Sequence, residues 1–273
     1  MSVYLLGGEG FIGHNIVDVI SPTMDCVCVD KKQSTFCTNN HKTIILDTYN
    51  VAMPTHGDVF IHLVDHQTNL VNFFNDEKGV VANVHVSKYK HVLLISSAAV
   101  YAKPNSDYGK RKLALEEIYY NYCHKNNIPL AIVRIFNVFG KYQWPNKPGS
   151  LISTLIVNAL QNHTTIIQDM EAERDFVLAS DVAQSIKIII KEKLEGIIDI
   201  GTGHLTKIKD VVEIINKLIA PDTCLIQNNN TKETIQMKAA LQINNLTASY
   251  VSMEKGLQET ICFYKKNLDK FYG

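Results

Sequence analysis

Residues 3–20 read VYLLGGEGFIGHNIVDVI, and the order of that stretch decides the fold. Val3-Tyr4-Leu5-Leu6 is a short apolar run without alternation, which suits a strand buried on both faces of a parallel sheet. Gly7, Gly10 and Gly13 follow as GxxGxxG, and from Phe11 to Ile20 the apolar residues recur at helical spacing. Strand, tight turn and helix in that order gather bare backbone amides and a helix N-terminus at one point, where an anionic pyrophosphate is stabilised. Asp30 ends the next apolar run, Cys26 to Val29. Its carboxylate can accept from both hydroxyls of an adenosine ribose and would repel a 2'-phosphate, so NAD is the expected dinucleotide. Lys31 and Lys32 beside it leave NADP as the alternative.

Outward from that stretch, Thr43 to Leu46, Val59 to Leu63, His91 to Ile95 and Ala131 to Ile135 are further short apolar runs closed by polar or small residues. Tyr108 to Lys125 reads as a helix stopped before Pro129, with Leu113, Glu116, Glu117 and Tyr120 at helical spacings; Asn69 to Lys88 can hold a less regular one. Strand and helix in alternation predict an α/β chain with a Rossmann-type doubly wound parallel sheet. At Lys141 to Ser150 (KYQWPNKPGS) the texture changes, with two of the seven prolines and the only tryptophan. We therefore expect a dinucleotide-binding domain over 1–140, with a return strand near 196–200, and a smaller mixed substrate lobe over 141–273. Within that lobe helices are expected over Leu151–Leu160, Lys207–Ile219 and Glu254–Asn267, and a polar loop over Gln227–Glu233.

A chain of 273 residues with 46% hydrophobic and 20% charged residues can bury a large core. Lys plus Arg equals Asp plus Glu at 27 each, which argues against a nucleic-acid partner or an anionic membrane surface. No run approaches the roughly 18 apolar residues a membrane span needs. The six cysteines contain no CxxC pair, and Cys26 and Cys28 sit at strand spacing; buried thiols are expected, and no metal site. The amino terminus lacks a basic leader pattern and runs directly into glycines, so cytoplasmic residence is expected.

Tyr108 and Lys112 are four apart, so both side chains point from one helix face toward the same small volume. An ammonium there stabilises a phenolate, and the tyrosine can exchange a proton with a substrate oxygen while hydride moves to or from nicotinamide. Ser96-Ser97 closes the fifth apolar run, at the sheet edge where open parallel sheets bind ligands. A hydroxyl there can hold the reacting oxygen beside the tyrosine. Taken singly, an exposed helix pair or a turn-forming serine is the simpler explanation of each; their order along the chain is what carries weight.

Taken in order, GGEGFIG, DVFIHL, ISSAAVY, YGKRK, IVRIFNVFG, RDFVLASDVA and IDIGTG resemble the extended short-chain dehydrogenase/reductases, the family of sugar-nucleotide epimerases, dehydratases and ketoreductases. The resemblance implies a catalytic set of Ser97, Tyr108 and Lys112, with Lys112 also bonding the nicotinamide ribose. It places Gly7, Gly10, Phe11, Ile12, Gly13, Asp30, Asp47, Thr48, Leu63 and Phe136 at the cofactor. Asn137 and Arg174 match residues that hold the sugar-nucleotide diphosphate, a task suited to a permanently charged fork, although a local ion pair of Arg174 with Asp175 is the alternative. A homodimer through helices such as Tyr108–Lys125 is implied in the same way.

Departures from the family sharpen the expectation. Ala98 and Ala99 stand where dehydratases place acidic or hydroxyl-plus-acid pairs, and a methyl group cannot move a proton, so no 4,6-dehydration is expected. Ten residues separate Ser97 from Tyr108, a short frame that tilts the expectation toward reduction of a 4-keto sugar nucleotide. Asp30 and the Ser-Ser-Ala run instead favour an NAD-retaining 4-epimerase, and a non-catalytic dinucleotide-binding protein is the third reading. Asp65 and His66 are unusual near the nicotinamide position, where a loop facing solvent is the simpler placement.

Overall fold

Seven apolar runs form one sheet: β1 (Ser2–Leu6), β2 (Asp25–Asp30), β3 (Lys42–Ile45), β4 (Gly57–His62), β5 (Tyr89–Ser97), β6 (Leu130–Ile135) and β11 (Gly196–Ile200). Their order is β11-β6-β5-β4-β1-β2-β3, and every neighbouring pair is parallel. The order reverses after β1, which is where a doubly wound sheet opens its ligand crevice. This computed structural model describes residues 1–36, 41–46, 57–64, 88–219, 225–227 and 250–271. Asp47, Thr48, Asp65, His66, most of the expected 69–88 helix and all of the 227–233 loop beyond Gln227 lie outside the described residues, as do Cys37 and Cys224.

The helices are α1 (Phe11–Ile20), α2 (Ala99–Ala102), α3 (Asp107–Lys125), α4 (Leu151–Leu160), α5 (Ala179–Glu192), α6 (Ile208–Ile219) and α7 (Met253–Asn267). Leu5 and Leu6 are both fully buried although neighbours on a strand point to opposite faces, so the sheet is covered on both sides. On one face Ala114, Leu115, Tyr119 and Cys123 of α3 pack on Leu6, Val29, Phe60, Val92, Leu94 and Ile132. Each such fully buried aliphatic side chain contributes about 1.5–3 kcal/mol. On α5, Val182, Ala183, Ile186, Ile189 and Ile190 are buried, and the Lys187 ammonium donates to the Val19 carbonyl at the end of α1.

The chain divides into two units, Met1–Ile135 with Ala183–Ile200, and Phe136–Val182 with Gly201–Gly273. The second holds short two-stranded pairings of both senses: β7 (Asn137–Phe139) parallel to β10 (Phe176–Leu178), β8 (Thr165–Ile167) parallel to β13 (Leu225–Gln227), and β9 (Glu173–Arg174) antiparallel to β12 (Thr206–Lys207). Among the described residues no helix is long and apolar enough to cross a membrane.

One sequence expectation, that of buried thiols, is corrected at Cys262. Leu113 and Tyr120 are exposed, and the buried stripe of α3 runs through Lys112, Leu115, Glu116, Tyr119 and Cys123. The helix turns its lysine and glutamate inward because both find partners there. Cys262 is exposed on the outer side of α7, whose buried residues include Leu257, Ile261 and Tyr264; Cys26, Cys28 and Cys123 are buried free thiols. The helix α5 carries no expectation from the sequence, where Ile188-Ile189-Ile190 reads as easily as strand.

Candidate active site

The first turn of α1 is built to approach an anion. Gly7 stands at φ +83°, and a Cβ there would come within 2.9 Å of the Val64 side chain. Gly13 presses α1 against the loop so closely that a Cβ would lie 2.3 Å from the Gly8 carbonyl oxygen. At the N-cap, Gly10 offers no side chain to the first-turn amides, and no acidic residue occupies that turn. Those amides are available to a pyrophosphate. Leu63 follows β4 with its N–H bonded to the Leu6 carbonyl, which sets it beside the glycine turn. At the end of β2, Asp30 accepts from the backbone N–H groups of Glu9 (3.2 Å) and Lys31 (2.7 Å), so its carboxylate is oriented at the loop in advance. The cradle, the open helix start and the placed carboxylate fit a dinucleotide.

The helix that carries Tyr108 and Lys112 begins at Ser106, whose hydroxyl caps α3 by accepting from the Gly109 N–H at 3.1 Å. One turn in, Tyr108 is 38% exposed, whereas Lys112 is only 4% exposed. The Lys112 ammonium donates to the Ile95 carbonyl on β5 at 3.3 Å and stands 5.7 Å from the centre of the Tyr108 ring. Arg111 flanks the other part of that ring at 5.9 Å. Thus Lys112 ties the phenol to the strand that ends in Ser97. There the paired serines part company. Ser96 is buried and donates to Glu116 at 2.5 Å, while Ser97 is half-buried and accepts from the Ala99 N–H at 3.2 Å. With that acceptance, the Ser97 hydroxyl proton is directed away from the backbone.

Two positioning residues escaped the sequence reading of the site. Arg134 on β6 grips Glu116 through Nε (3.0 Å) and Nη2 (2.6 Å), and also donates to the Tyr101 hydroxyl, which in turn donates to Asp199 at 3.1 Å. Glu116 beside it holds the guanidinium charged well above its ordinary range. The pair locks α3 one turn beyond Lys112. An arginine inside a buried strand, and a glutamate four residues after the lysine, were the available signals.

In the second unit, Asn137 and Arg174 line one cavity of about 710 Å³, together with Lys147, Thr165, Gln168 and Asp169. Asn137 begins β7, and both its backbone and side-chain nitrogens donate to the Asp175 carbonyl. Asp175 is fully buried and accepts from Thr202 N–H, Thr202 hydroxyl and Gly203 N–H, fixing the backbone between Arg174 and β10. Arg174 donates to the Glu173 carbonyl. Phe136, between β6 and β7, is buried.

Fold and site together define a Rossmann-type dinucleotide enzyme with a lysine-supported tyrosine. Residues 3–201 match the NAD dependent epimerase/dehydratase family, and the chain belongs to it; its cofactor is NAD. It is 30% identical over 253 residues to a putative UDP-glucose 4-epimerase of Methanocaldococcus jannaschii, covering 78% of this chain and 81% of that one. A UDP-glucuronic acid decarboxylase of Arabidopsis thaliana is 24% identical over 271 residues, covering 85% and 78%. The fold is that of the UDP-glucose 4-epimerase of Thermotoga maritima solved with UDP-glucose, with a TM-score of 0.83 at 18% identity over 98% and 100% of the two chains. These relatives favour the epimerase reading over the reductase reading that the short frame between Ser97 and Tyr108 suggested.

Proposed function

We propose that the protein is an NAD-dependent sugar-nucleotide 4-epimerase in which Ser97, Tyr108 and Lys112 carry the chemistry. The observation that supports it most is the clamp of Lys112 between the Ile95 carbonyl and Tyr108, at the end of the strand bearing Ser97. Tyr108 takes the proton of the sugar 4-hydroxyl and later returns it to the epimeric oxygen. Lys112 stabilises the phenolate form in which Tyr108 takes that proton and to which it returns, and the bond to the Ile95 carbonyl fixes the ammonium beside the ring. Ser97 donates to the same sugar oxygen. NAD supplies the hydride acceptor and donor, held by the glycine turn and Asp30. Ala98 and Ala99 offer no acid or base to expel water, so the 4-keto sugar is turned over and reduced. Asn137 and Arg174 hold the diphosphate in this reading, and the exposed Leu113 and Tyr120 of α3 join two chains in a homodimer.

The Arabidopsis relative supports a second reading with the same first step. Oxidation at C4 of a uronic acid makes it a β-keto acid, which loses its carboxylate as carbon dioxide; the enolate left behind takes a proton at C5, and return of the hydride to C4 gives the pentose. One assay separates the possibilities: incubate the purified protein with UDP-, dTDP- and GDP-hexoses and with UDP-glucuronic acid, adding no cofactor. Interconversion of 4-epimers without net redox change is expected. Carbon dioxide and a pentose nucleotide from the uronic acid would establish the second reading instead. Stoichiometric oxidation of added NADH by a 4-keto sugar, with no epimerisation, would overturn both.

A further inference from the structure

The glycine turn carries one carboxylate that the redox chemistry does not use. Glu9 lies between Gly8 and Gly10, with its side chain 2% exposed and turned beneath the loop. Its Oε1 accepts from the Thr43 hydroxyl at 2.7 Å and stands 2.9 Å from His41 Nε2. Its Oε2 accepts from the Ser34 N–H at 3.1 Å and stands 3.8 Å from Nε2 of His14 on α1. Below them Cys28 of β2 is fully buried, and its sulfur reaches so near the loop that a Cβ on Gly8 would meet it at 2.5 Å. The ligand atoms of Glu9, Cys28 and His41 all lie within 4.8 Å of one another, and the rings of His14 and His41 are 6.2 Å apart.

A hydrogen-bonding hub would account for Thr43, Ser34 and the His41 ring, but it has no use for the Cys28 thiol beside them. At 2.9 Å the His41 Nε2–H donates to Glu9 Oε1, and a metal ion held by both would take the place of that proton. Sulfur, imidazole nitrogen and carboxylate oxygen form the mixed donor set that zinc accepts, with bonds of about 2.0–2.3 Å. One carboxylate and one thiolate cancel a divalent charge, so the buried charges balance. Thr43 and the Ser34 N–H already hold the carboxylate as outer partners orient a ligating group.

We propose that Glu9, Cys28 and His41 bind a divalent transition-metal ion of the zinc type beneath the glycine turn. The three protein donors join the loop, β2 and the segment entering β3, with a fourth position left for water. Binding sends the Cys28 thiol proton to solvent and moves the His41 ring proton to Nδ1. The expectation of no metal rested on the lack of a local cysteine pattern, and these ligands are spread from residue 9 to residue 41.

The test uses the full chain with NAD in its oxidised form, which does not absorb near 340 nm. Metal analysis after exchange into metal-free buffer should find about one zinc per chain. Replacement of zinc by cobalt should produce thiolate-to-cobalt absorption in the near ultraviolet and tetrahedral bands in the visible. Cys28→Ser should abolish the near-ultraviolet band, and His41→Gln should weaken zinc binding more than tenfold. Cys28→Ala, which adds no buried polar atom, serves if the serine variant fails to fold. A folded wild-type protein with neither retained zinc nor a cobalt–thiolate band overturns the proposal, as does equal metal binding by the folded Cys28 variants. None of these readings depends on epimerase turnover.

Discussion

Tyr108 is the more exposed member of its pair and Lys112 the buried one, so their replacements should fail differently. Tyr108→Phe keeps the ring and removes only the exchangeable proton; turnover should fall by about 10²–10⁴-fold with NAD content unchanged. If Lys112 also bonds the cofactor ribose, as proposed, Lys112→Met should lose both turnover and NAD affinity. Nucleotide released on denaturation and measured per chain separates the two outcomes. Gly13→Ala brings a methyl group to 2.3 Å from the Gly8 carbonyl, so α1 must back away from the loop; this variant should purify without NAD even where it folds. Of these residues, the glycine turn and the proximity of the tyrosine to the lysine were legible because both depend on local spacing. The choice between Ser96 and Ser97 was legible only in part, since the partner that claims Ser96 is 20 residues away on α3.

At the scale of elements, α3 both covers the core and carries the proposed Tyr108 and Lys112 pair. Leu115 is almost fully buried, and Leu115→Ala should cost about 2–5 kcal/mol, seen as a lower urea midpoint with an unchanged slope. Glu116→Ala strands Arg134 beside Ser96 and should cost about 3 kcal/mol or more. The double variant Glu116→Leu with Arg134→Leu should recover much of that loss, because a paired apolar replacement leaves no buried charge alone. On β5, burial pushes the His91 imidazole below its ordinary value, against the bond its ring makes with the Leu194 carbonyl. The unfolded chain then binds this proton at higher pH than the folded one. Stability from His91 is complete above about pH 6.5 and is lost as pH falls from there toward the lower folded value. Melting temperature should decline between pH 7 and pH 5, and His91→Asn should flatten that decline. The helical spacing of Leu113 and Tyr120 is visible in the sequence, but which face of α3 is buried is not. Lys112 and Glu116 outcompete them for the interior only because Ile95 and Arg134 wait there.

At the scale of the molecule, NAD binding to the folded protein should stabilise it by mass action. At a concentration a hundredfold above its dissociation constant the gain is about 2.7 kcal/mol, or about 5–10 °C in melting temperature. Calorimetry on protein stripped of nucleotide and then titrated with NAD checks this, and the shift should persist in Tyr108→Phe.

What the sequence determined by itself is what local order can encode: the strand, glycine turn and helix of residues 3–20, the alternation that makes a parallel sheet, and the pairing of Tyr108 with Lys112. Backbone period and helix pitch act over a few residues, so they are written in neighbouring letters. The tertiary structure alone decided that Lys112 is clamped by a carbonyl 17 residues back, that Ser96 is buried against Glu116 while Ser97 is only half-buried, and that Glu9 meets His41 from 32 residues away. Those outcomes depend on which strands pair and how closely a helix settles on them, and packing across the sheet has no period along the chain.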